Sequence, residues 1–141
     1  MEYFPYEKLR EYQEEFIETV MTEADKGKNL VIEASTGFGK TACVLASVLP
    51  IAMERNKKIV YLCRTHKQME RVIEELNLIC KKHSISALAL RGRREMCLSP
   101  LVLDHTMDSS SSMYVCRLLR KMKKCNHFNN TREREEKAHE M

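Results

Sequence analysis

Apolar and polar positions follow two alternating patterns along the first 90 residues, one with helical spacing and one of short apolar runs. From about Glu7 to Asp25, apolar residues recur every three or four positions between charged ones, which is typical of an amphipathic helix. Helical spacing returns from Lys40 to about Arg55 and from Thr65 to about Lys82. Short apolar runs of strand length separate these segments, at Asn29–Glu33, Lys58–Cys63 and Ser86–Leu90. Strands that alternate with helices predict an α/β domain with a parallel sheet.

The pattern changes after Leu90. The segment from Arg91 to Ser112 contains a glycine, a proline and a run of four serines, so we expect a loop or an insertion there. Met113 to Lys124 predicts one basic helix, and the polar segment Thr131 to Met141 predicts a solvated helix or a disordered end. We therefore expect a first domain over residues 1–90 and an insert over residues 91–141.

Composition and charge narrow the class of protein. The 141 residues are 43% hydrophobic and 31% charged, which is typical of a globular chain. No apolar run has the roughly 20 residues of a membrane span, and the N-terminus lacks the features of a secretory signal. The net charge of +4 divides into −6 on residues 1–25 and +10 on residues 26–141. These features exclude a membrane protein, a secreted disulfide scaffold and a large multidomain enzyme, and the basic part favours nucleic acid as a partner.

The segment from Ala34 to Thr41 has the clearest chemical signal. It fits the phosphate-binding P-loop in the form that begins with alanine, and it follows a predicted strand and opens a predicted helix. Its glycines would let backbone N–H groups surround phosphate oxygens, while Lys40 and Thr41 would act on the β- and γ-phosphates and on Mg²⁺. The alternative is a glycine-rich turn before a helix. The predicted nucleotide-binding residues are Ala34, Ser35, Thr36, Gly37, Phe38, Gly39, Lys40 and Thr41.

A second candidate site follows the predicted strand that ends at Cys63. Thr65 and Gln68 have the spacing of a capping box, which predicts a helix start. Arg64 and His66, taken alone, are ordinary polar loop residues. Their place beyond the carboxyl end of a strand and at a helix N-terminus also suits a nucleic-acid phosphate.

Six cysteines are many for a domain that lacks a secretory signal, so buried thiols or metal ligands are favoured over disulfides. Three of them lie in apolar periodic segments and are expected to behave as small hydrophobic residues: Cys43, Cys63 and Cys80. The other three lie in the loop-rich part, with 18 and 8 residues between them: Cys97, Cys116 and Cys125. Because this spacing contains no paired CxxC, it favours free thiols when taken alone.

Several short segments, in a fixed order, show a resemblance to a known family. Phe4-Pro5-Tyr6 precedes Arg10-Glu-Tyr-Gln13 and the acidic helix, and then come EASTGFGKT, YLCRTHKQ and LRGRREMC. In this order the chain strongly resembles the XPD-type branch of superfamily 2 iron–sulfur DNA helicases over nearly its whole length. Two positions depart from the usual pattern, because Ser35 stands where many relatives have proline or alanine and Phe38 where many have threonine.

The resemblance implies roles for the matching residues. It places Lys40 and Thr41 at ATP and Mg²⁺ as helicase motif I, and Gln13 near the adenine. It also implies that Arg64-Thr65-His66 is motif Ia, which contacts the backbone of single-stranded DNA.

The resemblance also implies a metal centre in the insert. Cys97, Cys116 and Cys125 would be three of the four ligands of a 4Fe–4S cluster, with the fourth beyond Met141 or missing. The alternative is zinc on the three cysteines and His127, with His105 as a further candidate ligand.

Hydrolysis of ATP also requires an acid for Mg²⁺, and no DEAH-like box occurs in the chain. Asp104 follows a short apolar run, but it lies close to Cys97 and is followed by His105, so we reject it as that acid. By its resemblance the chain is the N-terminal part of an ATP-dependent 5′-to-3′ DNA helicase of DNA repair, acting on single-stranded or forked DNA in a prokaryotic cytoplasm or a eukaryotic nucleus. We expect it to be inactive alone. The alternatives are a non-catalytic module that binds nucleotide or single-stranded DNA, and a truncated inactive product.

Overall fold

The computed structural model describes residues 1–99, 102 and 108–131. The chain divides into two compact units, Met1–Ala89 and Leu90–Met141. The first unit contains helices α1 (Gln13–Asp25), α2 (Lys40–Glu54) and α3 (His66–Cys80). The second contains α4 (Arg93–Met96) and α5 (Ser109–Lys121), and residues 126–131 are also helical.

Helix α2 is the centre of the first unit and packs against both α1 and α3. Nearly every position of α2 is apolar or small, which is typical of a helix that is buried on several sides. One apolar cluster joins it to α1 and to the N-terminal segment, through Phe4, Ile17, Ala42, Cys43 and Ala46. A second cluster joins it to α3, through Leu45, Leu49, Val72 and Ile79. Both clusters fix the helix that begins directly after the glycine-bearing loop.

Helix α1 begins at Gln13, so the predicted start near Glu7 is wrong. Tyr12 has a φ of 64°, and this left-handed conformation separates the helix from the preceding residues. The apolar residues before it still contribute to the core, because Phe4 is buried and Leu9 packs against the same cluster from a non-helical segment. The predicted helices near Lys40 and Thr65 are confirmed to within one or two residues.

The three apolar runs form no strand in the part of the chain that the structure describes, so the predicted sheet is not confirmed. A strand forms only where a neighbouring strand accepts and donates its backbone hydrogen bonds. An apolar run is one of the two segments that such a pair needs, so the run alone does not make a strand. Several of the apolar side chains in these runs are accordingly open to water, including Val31 at 102% and Leu62 at 87% of full exposure.

The second unit contains more helix than the sequence predicts. Helix α4 lies inside the segment that we expected to be a loop. Helix α5 begins at Ser109 and not at Met113, because the Asp108 carboxylate accepts a hydrogen bond from the backbone N–H of Ser111 at 2.7 Å. Hydrogen bonds from Ser111 also lower the pKa of Asp108. Asp104, His105 and the segment after Thr131 lie outside the described residues. Within residues 1–99, 102 and 108–131, no helix is both long and apolar enough to cross a bilayer.

Candidate nucleotide-binding site

The loop before α2 has the backbone shape that its glycines predict. Gly37 has a φ of 84° and Gly39 a φ of 91°, and this left-handed region favours glycine because other residues place their Cβ too close to the backbone. Gly39 is the N-cap of α2, so Lys40 and Thr41 are its first two residues. The positive end of the helix dipole therefore lies at this loop, which favours a negatively charged ligand.

The Lys40 ammonium group lies against the first residues of the loop. Its Nζ donates hydrogen bonds to the carbonyl oxygens of Ala34, at 2.7 Å, and Ser35, at 2.8 Å. The side chain is exposed, and the two carbonyls can also be hydrated by water. The cation is thus held beside the loop by bonds that phosphate oxygens can replace with stronger ones, in which both partners are charged.

Residues before and within α1 contact the same loop. Gln13 is only 3% exposed, and its Nε2 donates to the carbonyl oxygen of Phe38 at 2.5 Å. Arg10 Nη1 donates to the carbonyl oxygen of Gly37 at 2.9 Å. The rings of Phe16 and Phe38 are also in contact, with centroids 5.4 Å apart. The segment at the start of α1 therefore binds the loop by hydrogen bonds to two successive carbonyls and by one aromatic contact.

An open cleft of about 520 Å³ adjoins the loop, and its size suits a nucleotide. Four cationic side chains lie in its wall: Lys8, Arg10, Lys40 and Arg71. The hydroxyl of Tyr6 donates to Glu75 Oε1 at 2.8 Å, and Arg71 Nε lies 3.9 Å from the same oxygen. Burial, and then the hydrogen bond to Glu75, raise the pKa of Tyr6. The excess of cations makes the cleft suited to an anionic ligand.

Arg64, Thr65 and His66 lie together at the start of α3, and all three are exposed. The predicted capping box is confirmed, because Thr65 Oγ1 accepts from the Gln68 N–H at 3.3 Å and Gln68 Oε1 accepts from the Thr65 N–H at 3.2 Å. None of the three lines the cleft beside the loop. They form a separate exposed group at a helix N-terminus.

The three cysteines of the first unit differ in exposure. Cys43 is fully buried in α2, and burial, followed by the charge of Glu75, raises the pKa of its thiol. Cys63 is partly buried against the second apolar cluster. Cys80 is exposed at the end of α3, so the prediction that it behaves as a buried apolar residue is wrong.

The cysteines of the second unit are not gathered into a metal site. Cys97 follows α4, Cys116 is buried in α5, and Cys125 follows α5. Across the residues that the structure describes, no group of three or more His, Cys, Asp and Glu side chains is placed to hold a metal ion. The described residues alone therefore do not fit an iron–sulfur cluster, and His105 lies outside them.

Sequence reasoning assigned no site role to seven residues that line the cleft: Phe4, Tyr6, Lys8, Arg10, Ala42, Arg71 and Glu75. Tyr6 and Glu75 are 69 positions apart, so no local pattern connects them. Arg10 belongs to one of the segments that carry the family resemblance. Its position three residues before Gln13 is the sequence feature that could have assigned it to the site. Its contact with the loop appears only in three dimensions.

A loop with two left-handed glycines, followed by a helix that begins with lysine and threonine, defines a phosphate-binding domain of the P-loop NTPase type. The family model for DEAD/DEAH box helicases matches residues 10–129, which is most of the chain. The chain belongs to this helicase family.

Individual relatives agree with this assignment. A probable ATP-dependent helicase of Methanocaldococcus jannaschii is 35% identical over 92 residues, covering 65% of this chain and 14% of that protein. The XPD helicase subunit of general transcription and DNA repair factor IIH of Arabidopsis thaliana is 30% identical over 112 residues, covering 72% of this chain and 15% of that protein. Regulator of telomere elongation helicase 1 of Bos taurus is 23% identical, covering 93% of this chain and 14% of that protein.

These relatives confirm the resemblance to XPD-type helicases. The chain spans about 15% of the length of the curated relatives that it matches. No solved structure gives a significant match to it.

Proposed function

We propose that this chain binds ATP with Mg²⁺ at the loop from Ala34 to Thr41, as the phosphate-binding part of an XPD-type, ATP-dependent DNA helicase. The observation that carries the proposal is the geometry of this loop, with Gly37 and Gly39 in the left-handed region and Lys40 beside it at the start of a long helix. Lys40 binds the β- and γ-phosphates and Thr41 binds Mg²⁺ through its hydroxyl. The cationic cleft accommodates the rest of the nucleotide.

The activity belongs to the whole helicase. We propose that the parent protein couples ATP hydrolysis to movement along DNA in DNA repair, in keeping with the names of the XPD relatives, and that it moves 5′ to 3′, as the family resemblance implies. In the complete helicase domain of that parent protein, we expect the three exposed apolar runs to be strands of a parallel sheet. Because this sequence contains no DEAH-like box, we expect nucleotide binding by the chain without turnover.

Competition between nucleotides tests the site. A fluorescent ATP analogue bound to the chain with Mg²⁺ is displaced by ATP at concentrations about 10- to 100-fold lower than by AMP, because AMP lacks the two phosphates that Lys40 contacts. Equal competition by ATP and AMP would show that the cleft binds nucleosides without using the loop, and would contradict the proposal.

Single-stranded DNA is the proposed partner of Arg64, Thr65 and His66. The exposed cation of Arg64 and the N-terminus of the 15-residue helix α3 both favour a DNA phosphate. DNA affinity should fall steeply with salt, and Arg64→Ala should reduce the slope of log K against log[salt] by about 1. Arg55→Ala, at an exposed arginine that pairs with Asp25, is the matched control. An unchanged slope in Arg64→Ala would remove this residue from the DNA site.

Cys97, Cys116 and Cys125 are proposed cluster ligands on the strength of the family resemblance. Since the described residues alone do not assemble a site, a cluster needs a further ligand and a rearrangement of the second unit. Protein purified without oxygen should then be brown, and Cys116→Ser should remove the colour while Cys80→Ser retains it. A colourless protein that binds zinc through these cysteines would support the zinc alternative instead.

A further inference from the structure

Two open clefts adjoin the phosphate loop, and Arg71 of helix α3 lies in the walls of both. The first has about 520 Å³, and the second, lined mainly by apolar side chains, has about 550 Å³. In the part of the chain that the structure describes, three residues line both clefts: Lys40, Thr41 and Arg71. Lys40 and Thr41 are the residues proposed for the terminal phosphates and Mg²⁺, so Arg71 lies at the same end of the site.

The buried carboxylate of Glu75 keeps the inner end of the Arg71 side chain at the cleft wall. Glu75 is 5% exposed, and its Oε1 accepts from the Tyr6 hydroxyl at 2.8 Å and lies 3.9 Å from Arg71 Nε. Its Oε2 is buried and has no hydrogen-bond partner among the described residues. Since burial reduces screening by water, this carboxylate attracts the nearby guanidinium more strongly than an exposed one would.

The outer end of Arg71 is bound weakly. Its Nη1 donates to Glu74 Oε2 at 3.1 Å, and the two side chains are 66% and 65% exposed. An ion pair between side chains this exposed contributes little, because water screens it. A phosphate is a stronger partner, since the planar guanidinium can donate two parallel hydrogen bonds to its oxygens. A phosphate in the cleft can therefore displace Glu74 from Arg71.

The order of groups along a P-loop indicates which phosphate Arg71 meets. The backbone N–H groups of such a loop surround the α- and β-phosphates, and its lysine reaches the β- and γ-phosphates. Arg71 lies outside the loop, on α3, and shares its two clefts with Lys40 and Thr41. The phosphate within its reach is therefore the terminal one.

We propose that Arg71 binds the γ-phosphate of the nucleotide in exchange for Glu74, so that helix α3 takes part in distinguishing ATP from ADP. The inference deepens the proposed nucleotide site and rests on it. It concerns the phosphate end of the ligand alone, and Gln13 keeps the place near the adenine that the family resemblance implies.

The test compares ATP with ADP. Binding of each to the 141-residue chain is measured with Mg²⁺, for the unsubstituted chain and for Arg71→Ala. We expect ATP to bind about tenfold more weakly to Arg71→Ala, as the loss of one or two charge-assisted hydrogen bonds predicts, and the ADP affinity to change by less than about twofold. An unchanged ATP affinity, or equal weakening of ATP and ADP, would overturn the proposal.

Lys67→Ala is the matched control. Lys67 is an exposed cation one turn earlier on the same helix, and it lines neither cleft. Its substitution removes the same charge and should alter neither affinity. Weakening of ATP binding by Lys67→Ala to the same extent as by Arg71→Ala would reduce the effect to the overall charge of α3 and would contradict a direct contact.

Glu74→Gln tests the exchange itself. This substitution removes the competing anion but keeps Arg71 and Glu75, so it remains informative if Arg71→Ala unfolds. We expect ATP to bind about twofold more tightly to Glu74→Gln, with ADP unchanged, and we expect no gain in the Arg71→Ala background. An equal gain for ATP and ADP, or a gain that persists without Arg71, would show a general charge effect and would overturn the exchange.

The outcomes separate this inference from the nucleotide site. If Lys40→Ala weakens ATP binding and Arg71→Ala does not, the site stands and the role of Arg71 is wrong. If Arg71→Ala weakens binding of single-stranded DNA but not of ATP, Arg71 belongs to the DNA site and the proposal is overturned. If the unsubstituted chain binds neither ATP nor ADP, the nucleotide site is wrong, and the role of Arg71 is wrong with it.

Discussion

Lys40→Ala should remove most of the affinity of this chain for ATP, by about a hundredfold. The ammonium group lies beside the loop, and the two charge-assisted hydrogen bonds that it would make to phosphate oxygens would be lost with it. In the substituted chain, the carbonyls of the half-buried Ala34 and the exposed Ser35 can bind water, so the fold should be preserved. Equilibrium binding of Mg·ATP, together with a thermal unfolding curve of each variant, measures both effects.

Lys57→Ala is the matched control for Lys40→Ala, because it removes the same charge from an exposed residue after α2. Lys40→Arg keeps the charge but changes the donor geometry, and it should bind ATP more weakly than the unsubstituted chain. Equal ATP affinity in Lys40→Ala and Lys57→Ala would show that the loop does not bind the phosphates.

Gly39→Ala should destabilise the first unit by about 2 kcal/mol and abolish ATP binding. Alanine is strained at a φ of 91°, and its Cβ would lie 2.7 Å from Gln13 Nε2. Relief of that contact requires the Gln13 amide to leave the Phe38 carbonyl, which releases the loop. Chemical unfolding followed by circular dichroism gives the free energy, and ATP competition gives the binding.

Gly27→Ala separates backbone strain from steric contact as the cause of the lost stability. Gly27 has a φ of 71° but no atom within 4 Å of the added Cβ, so it reports the backbone strain alone. The double variant Gly39→Ala/Gln13→Ala removes the clash, and the Gly39 substitution should cost less in that background. The steric account fails if Gly39→Ala destabilises the chain no more than Gly27→Ala does.

The phosphate loop could be predicted from sequence because its requirements are local. Positive φ at Gly37 and Gly39, the helix start at Lys40 and the capping box of Thr65 and Gln68 all depend on residues a few positions apart. Such local rules hold in the folded protein because residues a few positions apart interact in any tertiary arrangement of the chain.

The contacts around the loop could not be predicted in the same way. The Tyr6–Glu75 hydrogen bond joins residues 69 positions apart, and the contact of Arg10 with Gly37 spans 27. The start of α1 was also misplaced, because apolar residues such as Leu9 reach the core from a turn as readily as from a helix. The apolar period indicated that Leu9 reaches the core, but it did not show which backbone conformation places it there.

The apolar runs that remain unpaired have a practical consequence. Val31, Val60 and Leu62 are mostly exposed on segments that are neither helix nor strand, so their backbone groups are open to pairing with another chain. We therefore expect the 141-residue polypeptide to self-associate as its concentration rises, through these segments and not through its charged helices. Its solubility is then a direct indicator of whether these apolar runs have paired with neighbouring segments.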